Sequence, residues 1–346
     1  MQAFGGAVVT PAGAKLISSG TMPLTVSHNA GKDIVLQNSY MAEDFNSAQL
    51  IEAHRDLIQP YGEGHMGHWY FDGIRMGYSN WKYNDYVATD WNTDLEIVHL
   101  HFNLRGRISL ENNSLGKVFS LGSHQHNAFY SKGFQGTIRN DELHNEMFML
   151  QFTKEAFARL TQEAGEWVAP FREAVLEGKP ATMSPHNMYI GLPLHRAIRD
   201  VLQCKLTGGI KKMYLYSKCL EILVLLSESY KRANQTGKIY CKTEYDQERI
   251  LFARDYLIQH VDVPPSLGEL ARIAGINEFK LKKGFKEIFE NTVFGYLADY
   301  RLGEAQSMLA ARQKTATEIA FDLGYSSLQH FSTAFKKKFG VGPGGR

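Results

Sequence analysis

The chain has 346 residues, of which 44% are hydrophobic, 12% aromatic and 21% charged. This amount of apolar surface excludes an intrinsically disordered chain, and the length allows two domains with separate cores. The formal net charge is only +2, so the overall charge does not predict a nucleic-acid-binding protein, and any such function depends on local charge.

The cysteines and the apolar segments argue against a secreted or membrane protein. Cys204, Cys219 and Cys241 are odd in number and widely spaced, which disfavours a disulfide framework and a zinc ribbon. The first thirty residues are interrupted by Pro11 and Pro23 and have no charged region followed by an apolar core, so they are a poor signal peptide. We therefore expect a soluble cytoplasmic protein that makes no contact with a membrane.

From about residue 34 to residue 153 the pattern indicates short strands separated by turns. In Val98–Leu104, apolar residues alternate with His99, His101 and Asn103, and this period of two is typical of a half-buried strand. Turn-prone groups rich in Asn, Gly and Ser separate several such runs. The region is therefore predicted to form a β-sandwich or a small barrel.

Helical patterns replace the alternation after residue 153. Helices are expected at 154–164, 190–206 and about 211–233, and the longest of them carries an apolar stripe from Leu215 to Tyr230. The stripe favours packing against the core, and half of a dimer seam is the alternative. Polar residues at 236–246 indicate a linker, and further helices are predicted at 247–260, 266–274, 277–289, 293–311, 316–323 and 327–339.

This order of elements predicts an α+β protein with two domains. Residues 1–235 would form the first, with the β-barrel at about 34–153 and helices at about 154–233. Residues 236–246 would form a linker, and residues 247–346 an all-α domain.

A repeated unit in the last hundred residues gives the strongest functional signal. Leu270–Ile276 and Ile319–Tyr325 share the order apolar, Ala, two variable residues, apolar or Ala, Gly, apolar. Leu281–Lys286 and Phe331–Lys336 match in the same way, after one inserted residue. Each unit has the small residue, the glycine turn and the second helix that a helix-turn-helix requires.

The details of the two units support this interpretation. Gly275 and Gly324 occupy turns in which a positive φ is expected. Asn277 and Ser326 are the expected N-caps of the two second helices. Apolar residues of these helices would then pack inward: Leu281, Phe285 and Ile288 in the first unit, and Phe331, Phe335 and Phe339 in the second.

The outward residues of the second helices suit the major groove of double-stranded DNA. Polar side chains in the N-terminal half of such a helix contact base edges, and lysines further along lie near phosphates. The lysine run at 336–338 would also face outward. Such a run alone is more typical of a solvated helix face, but two matching copies favour DNA binding. The predicted DNA-binding residues are Phe279, Lys280, Lys282, Lys283 and Lys286 in the first unit and Leu328, Gln329, Ser332, Thr333, Lys336 and Lys337 in the second.

Residues 250–343 resemble the DNA-binding domain of the AraC/XylS family of transcription regulators, above all in Ile319–Pro343 (IAFDLGYSSLQHFSTAFKKKFGVGP). The resemblance implies two helix-turn-helix units, joined by a long helix, that bind adjacent major grooves. Glu290 departs from it, because the family commonly has glycine there. By position, the resemblance assigns base contacts to Phe279, Lys282 and Lys283 in the first unit and to Gln329, Ser332 and Thr333 in the second.

The front of the chain is similar to this family in a less specific way. Many members carry a cupin-like β-barrel that binds a small effector, followed by helices that form a dimer. His101–Arg107 and Leu215–Leu226 resemble the siderophore-uptake regulators of the pyochelin type. The resemblance implies a homodimeric, effector-controlled activator with a ferric siderophore as the candidate effector. The sequence itself distinguishes neither activation from repression nor the residues that bind the effector.

Two other functions remain as alternatives at this stage. One is a cupin-type metalloprotein or metalloenzyme whose helical tail serves for association, since His99 and His101 share one face of a strand. Against it, the first acid after His101 is Glu111, which is too distant for the ligand pattern of such enzymes. We expect no catalytic residues, no metal and no cofactor, and surface or hydrogen-bonding roles for the pairs His65/His68, His99/His101 and His124/His126. The other alternative is a constitutive DNA-binding protein whose front domain only forms the dimer.

Overall fold

The computed structural model describes residues 24–28, 34–38, 45–235, 240–241, 243–312 and 314–344. Within these residues, a β-rich part with four helices comes first, and six more helices follow. The strands are β1 Leu24–His28, β2 Ile34–Asn38, β3 Ile51–Gln59, β4 Gly62–Phe71, β5 Ile74–Tyr83, β6 Ala88–Thr93, β7 Ile97–Arg105, β8 Ile108–Asn112, β9 Lys117–Leu121, β10 Gln125–Ser131, β11 Phe134–Asn140, β12 His144–Thr153, β13 Ala181–Thr182 and β14 Met188–Tyr189.

The described strands form two antiparallel sheets. The small sheet has the order β2-β1-β6-β11-β8-β9, and the large sheet has the order β13-β10-β7-β12-β5-β4-β3, with β14 also paired to β10. The two sheets face each other across a shared interior, as the predicted sandwich or barrel requires. The α+β class is thereby confirmed.

Helices cover the other face of the large sheet. They are α1 Lys154–Leu160, α2 Ala169–Leu176, α3 Leu192–Leu202 and α4 Gly208–Gln235. One buried core joins Val98, Leu100 and Phe102 of β7 to these helices. The apolar stripe of α4 is buried from Leu215 to Tyr230, and its residues from Leu215 to Leu226 are part of this core, so the prediction that it packs inward is confirmed.

Strand β7 is buried on both faces, and the prediction of a half-buried strand was wrong. His99, His101 and Asn103 point away from the helices, but the small sheet covers them instead of water. A surface location for His99 and His101 was therefore also wrong, whereas a hydrogen-bonding role holds for His99. The prediction failed because the small sheet adds a third layer to the helices and the large sheet. Strand alternation shows only that the two faces of a strand differ, and not that one of them meets solvent.

The C-terminal helices are α5 Glu244–Gln259, α6 Leu267–Ala274, α7 Glu278–Phe289, α8 Val293–Ala311, α9 Ala316–Asp322 and α10 Leu328–Phe339. The pairs α6–α7 and α9–α10 are the two predicted helix-turn-helix units, and α8 joins them. Each unit has its own apolar core, and α8 contributes Tyr296 and Leu297 to the first core and Leu302 and Ala305 to the second.

Local interactions fix both units as the sequence indicates. Gly275 and Gly324 have φ values of 70° and 74° in their turns, as predicted. Asn277 caps α7 by accepting a hydrogen bond from the Lys280 amide, whereas α10 is capped by Ser327. The prediction of Ser326 as that N-cap was therefore wrong by one residue.

Gly284 yields a test of the packing in the first unit. A Cβ atom at this position of α7 would lie 2.6 Å from Ile250 Cδ1 and 2.7 Å from Cys241 Sγ. Glycine costs a helix about 1 kcal/mol relative to alanine, so Gly284→Ala would stabilise an unobstructed helix. Here we expect a net destabilisation of about 1–3 kcal/mol from overpacking, measured by urea unfolding.

The second unit supplies the matched control, because Ala334 of α10 aligns with Gly284 in the sequence repeat. Ala334→Gly should cost the helix propensity, about 1 kcal/mol, and in addition the burial of one methyl group, because Ala334 packs against the core of the second unit. A stabilised Gly284→Ala protein would contradict the close approach of α7 to Cys241 and Ile250.

Candidate DNA-binding surface and ligand cavity

The first candidate DNA-binding surface is the outward face of α7. Leu281 and Phe285 are buried beneath it, as predicted, while Phe279 is 62% exposed. Lys282 and Lys286 lie exposed on the same outward side. The helix therefore presents an apolar group and ammonium groups together, which suits a thymine methyl, base edges and phosphates.

Two predicted residues of α7 lie on its flank. Lys280 Nζ forms an ion pair with Asp246 Oδ1 at 2.8 Å, and this pairing raises the pKa of Lys280. The ammonium of Lys283 stands over the rings of Tyr240 and Phe279. The expectation that Lys280 simply faces outward is thus corrected, because the start of α5 lies beside that edge of α7.

The second candidate surface is the outward face of α10. Phe331 and Phe335 are buried, and Phe339 packs against the same core. The predicted contact residues line the opposite side, where Ser332 is half-buried and the others are exposed: Leu328, Gln329, Thr333, Lys336 and Lys337.

The lysine run at the end of α10 divides between two directions. Lys336 and Lys337 are exposed near the C-terminus of the helix. Lys338, which was expected to face outward with them, instead contacts the carboxylate of Asp299 on α8. A helix turns by about 100° per residue, so the third lysine points at the neighbouring helix.

Polar contacts connect the β-rich part to the C-terminal helices. On α3, Arg196 donates to the Asp299 carbonyl oxygen of α8, and Arg199 forms an ion pair with Glu304 of α8. His124, between β9 and β10, lies 3.1 Å from the Arg254 guanidinium of α5 through its Nδ1 atom. The long helix that joins the two units therefore rests directly on the β-rich part.

A cavity of about 80 Å³ lies between the two sheets. Its wall is mainly apolar, with side chains from both sheets that include Trp91, Leu110, Phe129, Phe134 and Met149. This volume exceeds the 10–15 Å³ that one water needs, so it admits several waters or a small ligand. The polar side chains that line it are His68, Arg75, Thr93, His99, His101 and Gln151.

Arg75 organises most of these polar groups. Its guanidinium donates to Gln151 Oε1, to His68 Nδ1 at 2.6 Å and to the Tyr70 hydroxyl at 3.2 Å. The Gln151 amide nitrogen donates in turn to His99 Nδ1 at 2.7 Å. Both histidines therefore accept through Nδ1, as neutral imidazoles do. Burial, reinforced by the charge of Arg75, lowers the pKa of His68 to about 2.

His101 differs from the other polar residues of the cavity. It is 4% exposed, and neither of its ring nitrogens has a hydrogen-bond partner among the described residues. The ring packs against Phe129 at 5.0 Å, and burial followed by the charge of Arg75 lowers its pKa to about 4. An unpaired buried imidazole costs free energy, which a ligand with a complementary polar group would recover.

A metal at His99 and His101 would need further ligands. Their ring centroids are 5.7 Å apart, but Gln151 and Arg75 occupy the polar surroundings. Within the described ranges, no group of three or more His, Cys, Asp or Glu side chains could hold a metal ion. In the same ranges, no helix is long and apolar enough to cross a membrane.

The buried histidines make stability depend on pH. Burial lowers the pKa of His126, which faces the helices, to about 3, against an ordinary value of about 6.5. As the pH falls below 6.5, the unfolded chain takes up protons that the folded chain does not, so the folded state becomes less stable. Each such histidine contributes up to about 1.4 kcal/mol per pH unit in that range.

We therefore expect urea unfolding to show decreasing stability from pH 7 to pH 5. His126→Leu should reduce the slope by about 1 kcal/mol per pH unit, because it removes one of the protons involved. Equal slopes for His126→Leu and the unchanged protein would show that His126 is not buried as a neutral group.

Comparison with known proteins gives two family matches. The model of the PchR regulatory protein N-terminal domain matches residues 63–239, and a helix-turn-helix domain model matches residues 270–345. The regulatory protein PchR of Pseudomonas aeruginosa is 38% identical over 113 residues, which are 32% of this chain and 37% of that protein.

Two further matches are more distant. The HTH-type transcriptional regulator ArgR of the same organism is 26% identical over 121 residues, 34% of this chain and 37% of that protein. The alignments therefore span little more than a third of the length of either curated relative. A crystal structure of apo ToxT from Vibrio cholerae aligns with 86% of this chain and 96% of its own, at 13% identity and a TM-score of 0.33.

The N-terminal family model covers more than half of the 346 residues, and it precedes the helix-turn-helix match, as the β-rich part precedes the C-terminal helices in the fold. The chain belongs to the family of PchR-type regulatory proteins, with a C-terminal helix-turn-helix domain of the AraC type.

Proposed function

We propose that the protein is a sequence-specific DNA-binding transcription regulator whose affinity for DNA is controlled by a small molecule in the cavity between the sheets. The observation that carries the proposal is the pair of helix-turn-helix units, each with an exposed polar face, docked on a part that encloses this cavity. Residues 1–235 would bind the effector and residues 247–346 the DNA. Binding to chromosomal DNA implies a cytoplasmic location and requires no catalysis.

The contacts described above provide a route between the two sites. Strand β10 lines the cavity through Phe129 and pairs with β14, which directly precedes α3. On α3, Arg196 and Arg199 contact α8, and α8 joins the two units. A ligand that shifts β10 would therefore favour one placement of α3 and α8 over another, which is how an effector biases an existing equilibrium.

The cavity suggests what kind of effector would bind. An apolar wall with Arg75 and the unpaired His101 suits an apolar molecule with one acidic or hydrogen-bonding group. The ferric siderophore proposed from the sequence is larger than a cavity of about 80 Å³, so the sheets would have to move apart to admit it. That movement would supply the conformational change that regulation needs.

A second copy of the chain is the proposed protein partner. Ile210, Met213, Leu220 and Val224 form an exposed apolar stripe on α4, between 39% and 74% exposed. Their spacings of three, seven and four are those of a heptad seam. This stripe lies on a different side of α4 from the one buried against the sheet, so α4 can serve both the core and a homodimer.

The division between base contacts and phosphate contacts can be tested on DNA selected from random sequence by the full-length protein. Lys282→Ala or Gln329→Ala should cost about 1–3 kcal/mol and relax the preference at particular bases. Lys337→Ala should weaken binding to every sequence and reduce the salt dependence. A uniform loss for all three variants would contradict the assignment.

The effector site can be tested by titrating the same DNA at fixed salt with and without a ferric siderophore, and with benzoate as a small apolar acid. We expect the effector to change DNA affinity in the unchanged protein but not in His101→Leu, which removes the free imidazole from the cavity. Sedimentation of the same samples should give the mass of a dimer.

His126→Leu is the matched control, because His126 is an equally buried histidine that faces the helices and not the cavity. It should keep the response to the effector. An equal response in both variants would place the effector elsewhere. A response to benzoate alone would support an effector-controlled regulator and contradict the siderophore as its effector. DNA binding that neither compound changes would favour a constitutive DNA-binding protein.

A further inference from the structure

The residues just before α5 and the first residues of α5 are packed against α7. We call Tyr240, Cys241 and Thr243–Asp246 the linker segment. The backbone amides of Tyr240 and Cys241 both donate to the Glu287 carboxylate of α7, at 2.6 and 3.2 Å. One carboxylate that accepts two successive amides fixes the direction of the chain at this point.

Two more contacts hold the linker segment in place. The side chain of Cys241 is buried, and it lies where only a glycine at position 284 of α7 leaves room for it. At the other end, Asp246 pairs with Lys280 of α7. The segment is thus anchored along one flank of α7 by hydrogen bonds, close packing and an ion pair.

Tyr240 stands beside two residues that are predicted to contact bases. Its ring meets that of Phe279 edge to face, with centroids 6.1 Å apart. The Lys283 ammonium lies 5.3 Å from the centroid of Tyr240 and 5.8 Å from that of Phe279. These are cation–π distances, so the Tyr240 ring restrains the position of the lysine.

We infer that Tyr240 is a further DNA-contacting residue of the first helix-turn-helix unit, with its ring positioning Lys283 and Phe279 and its hydroxyl donating to a phosphate beside the groove that α7 enters. The inference rests on the proposed function. Tyrosine hydroxyls are common phosphate donors in protein–DNA complexes. The Tyr240 ring is half-buried, and no described residue hydrogen-bonds to its hydroxyl.

The position of Tyr240 favours a contact between this residue and DNA over a role in shielding α7 from DNA. The linker segment lies along the flank that carries Lys280, Lys283 and Glu287. Lys282 and Lys286 on the outward side remain exposed. The side of α7 that would face the groove is therefore not covered by the linker segment, and Tyr240 extends this surface at one edge.

The test uses the full-length protein and a duplex that it has selected from random sequence. Tyr240→Phe removes only the hydroxyl, and we expect DNA binding to weaken about threefold to tenfold with unchanged base preference. In an ethylation-interference experiment, ethylation of the phosphate that Tyr240 contacts should block binding of the unchanged protein. Ethylation of the same phosphate should have no effect on binding of Tyr240→Phe. Tyr240→Ala should weaken binding further and relax the preference at bases contacted by the first unit.

Tyr86→Phe removes an exposed tyrosine hydroxyl from the β-rich part and is the matched control. Thermal unfolding of each variant separates loss of contact from loss of fold, and Tyr240→Phe keeps the ring that packs on α7. An unchanged affinity and phosphate pattern for Tyr240→Phe would overturn the inference. Tighter binding by Tyr240→Ala would overturn it in favour of shielding. If the unchanged protein selects no sequence at all, the proposed function fails first.

Discussion

Helices cover one face of the large sheet and the small sheet covers the other, so the central strands are shielded from water on both sides. Every polar side chain on the inner face must then find its partner inside the protein or remain unpaired at a cost. Arg75, Gln151, His68 and His99 satisfy one another in a chain of hydrogen bonds. His101 lies outside that chain, and no residue that the structure describes hydrogen-bonds to its imidazole.

The same constraint connects the cavity to the rest of the molecule. Strands packed on both faces transmit displacement, because tightly packed interiors have little free volume to absorb it. A group larger than the cavity that enters beside Phe129 must move β10 or the small sheet, and β10 pairs with β14, which directly precedes α3. The arginines of α3 contact the helix between the two helix-turn-helix units, so a series of packed contacts runs from the cavity to these units.

The helical part was largely predictable from sequence because its determinants are local. A glycine turn, an N-cap and an apolar period of 3.6 residues all lie within a few residues of the structure that they specify. Two predictions there were wrong. The N-cap of α10 is Ser327 and not Ser326, and Lys338 contacts α8 instead of facing outward, since each residue of a helix is rotated by about 100° from the one before it. The ion pair between Lys280 and Asp246 was not predicted, because no local sequence pattern connects Asp246 to α7.

The β-rich part was predictable in kind but not in arrangement. Pairing β6 with β1 and β11, for example, depends on contacts between residues far apart in sequence. The polar residues of β7 looked solvent-facing because alternation does not reveal a second sheet. A signal was present, since His68, Arg75, His101 and Gln151 are uncommon interior residues whose strands are neighbours in the large sheet, but only the strand order shows that they meet.

The buried thiol of Cys241 has a consequence for how movement of the linker segment becomes visible. Burial, followed by the nearby carboxylates of Glu287 and Asp246, raises the pKa of this thiol to about 12, so it stays protonated and enclosed against α7. Thiol reagents attack the thiolate and need access to it. Cys241 therefore becomes reactive only when the linker segment separates from α7, so the rate at which a thiol reagent modifies this side chain measures how often that separation occurs.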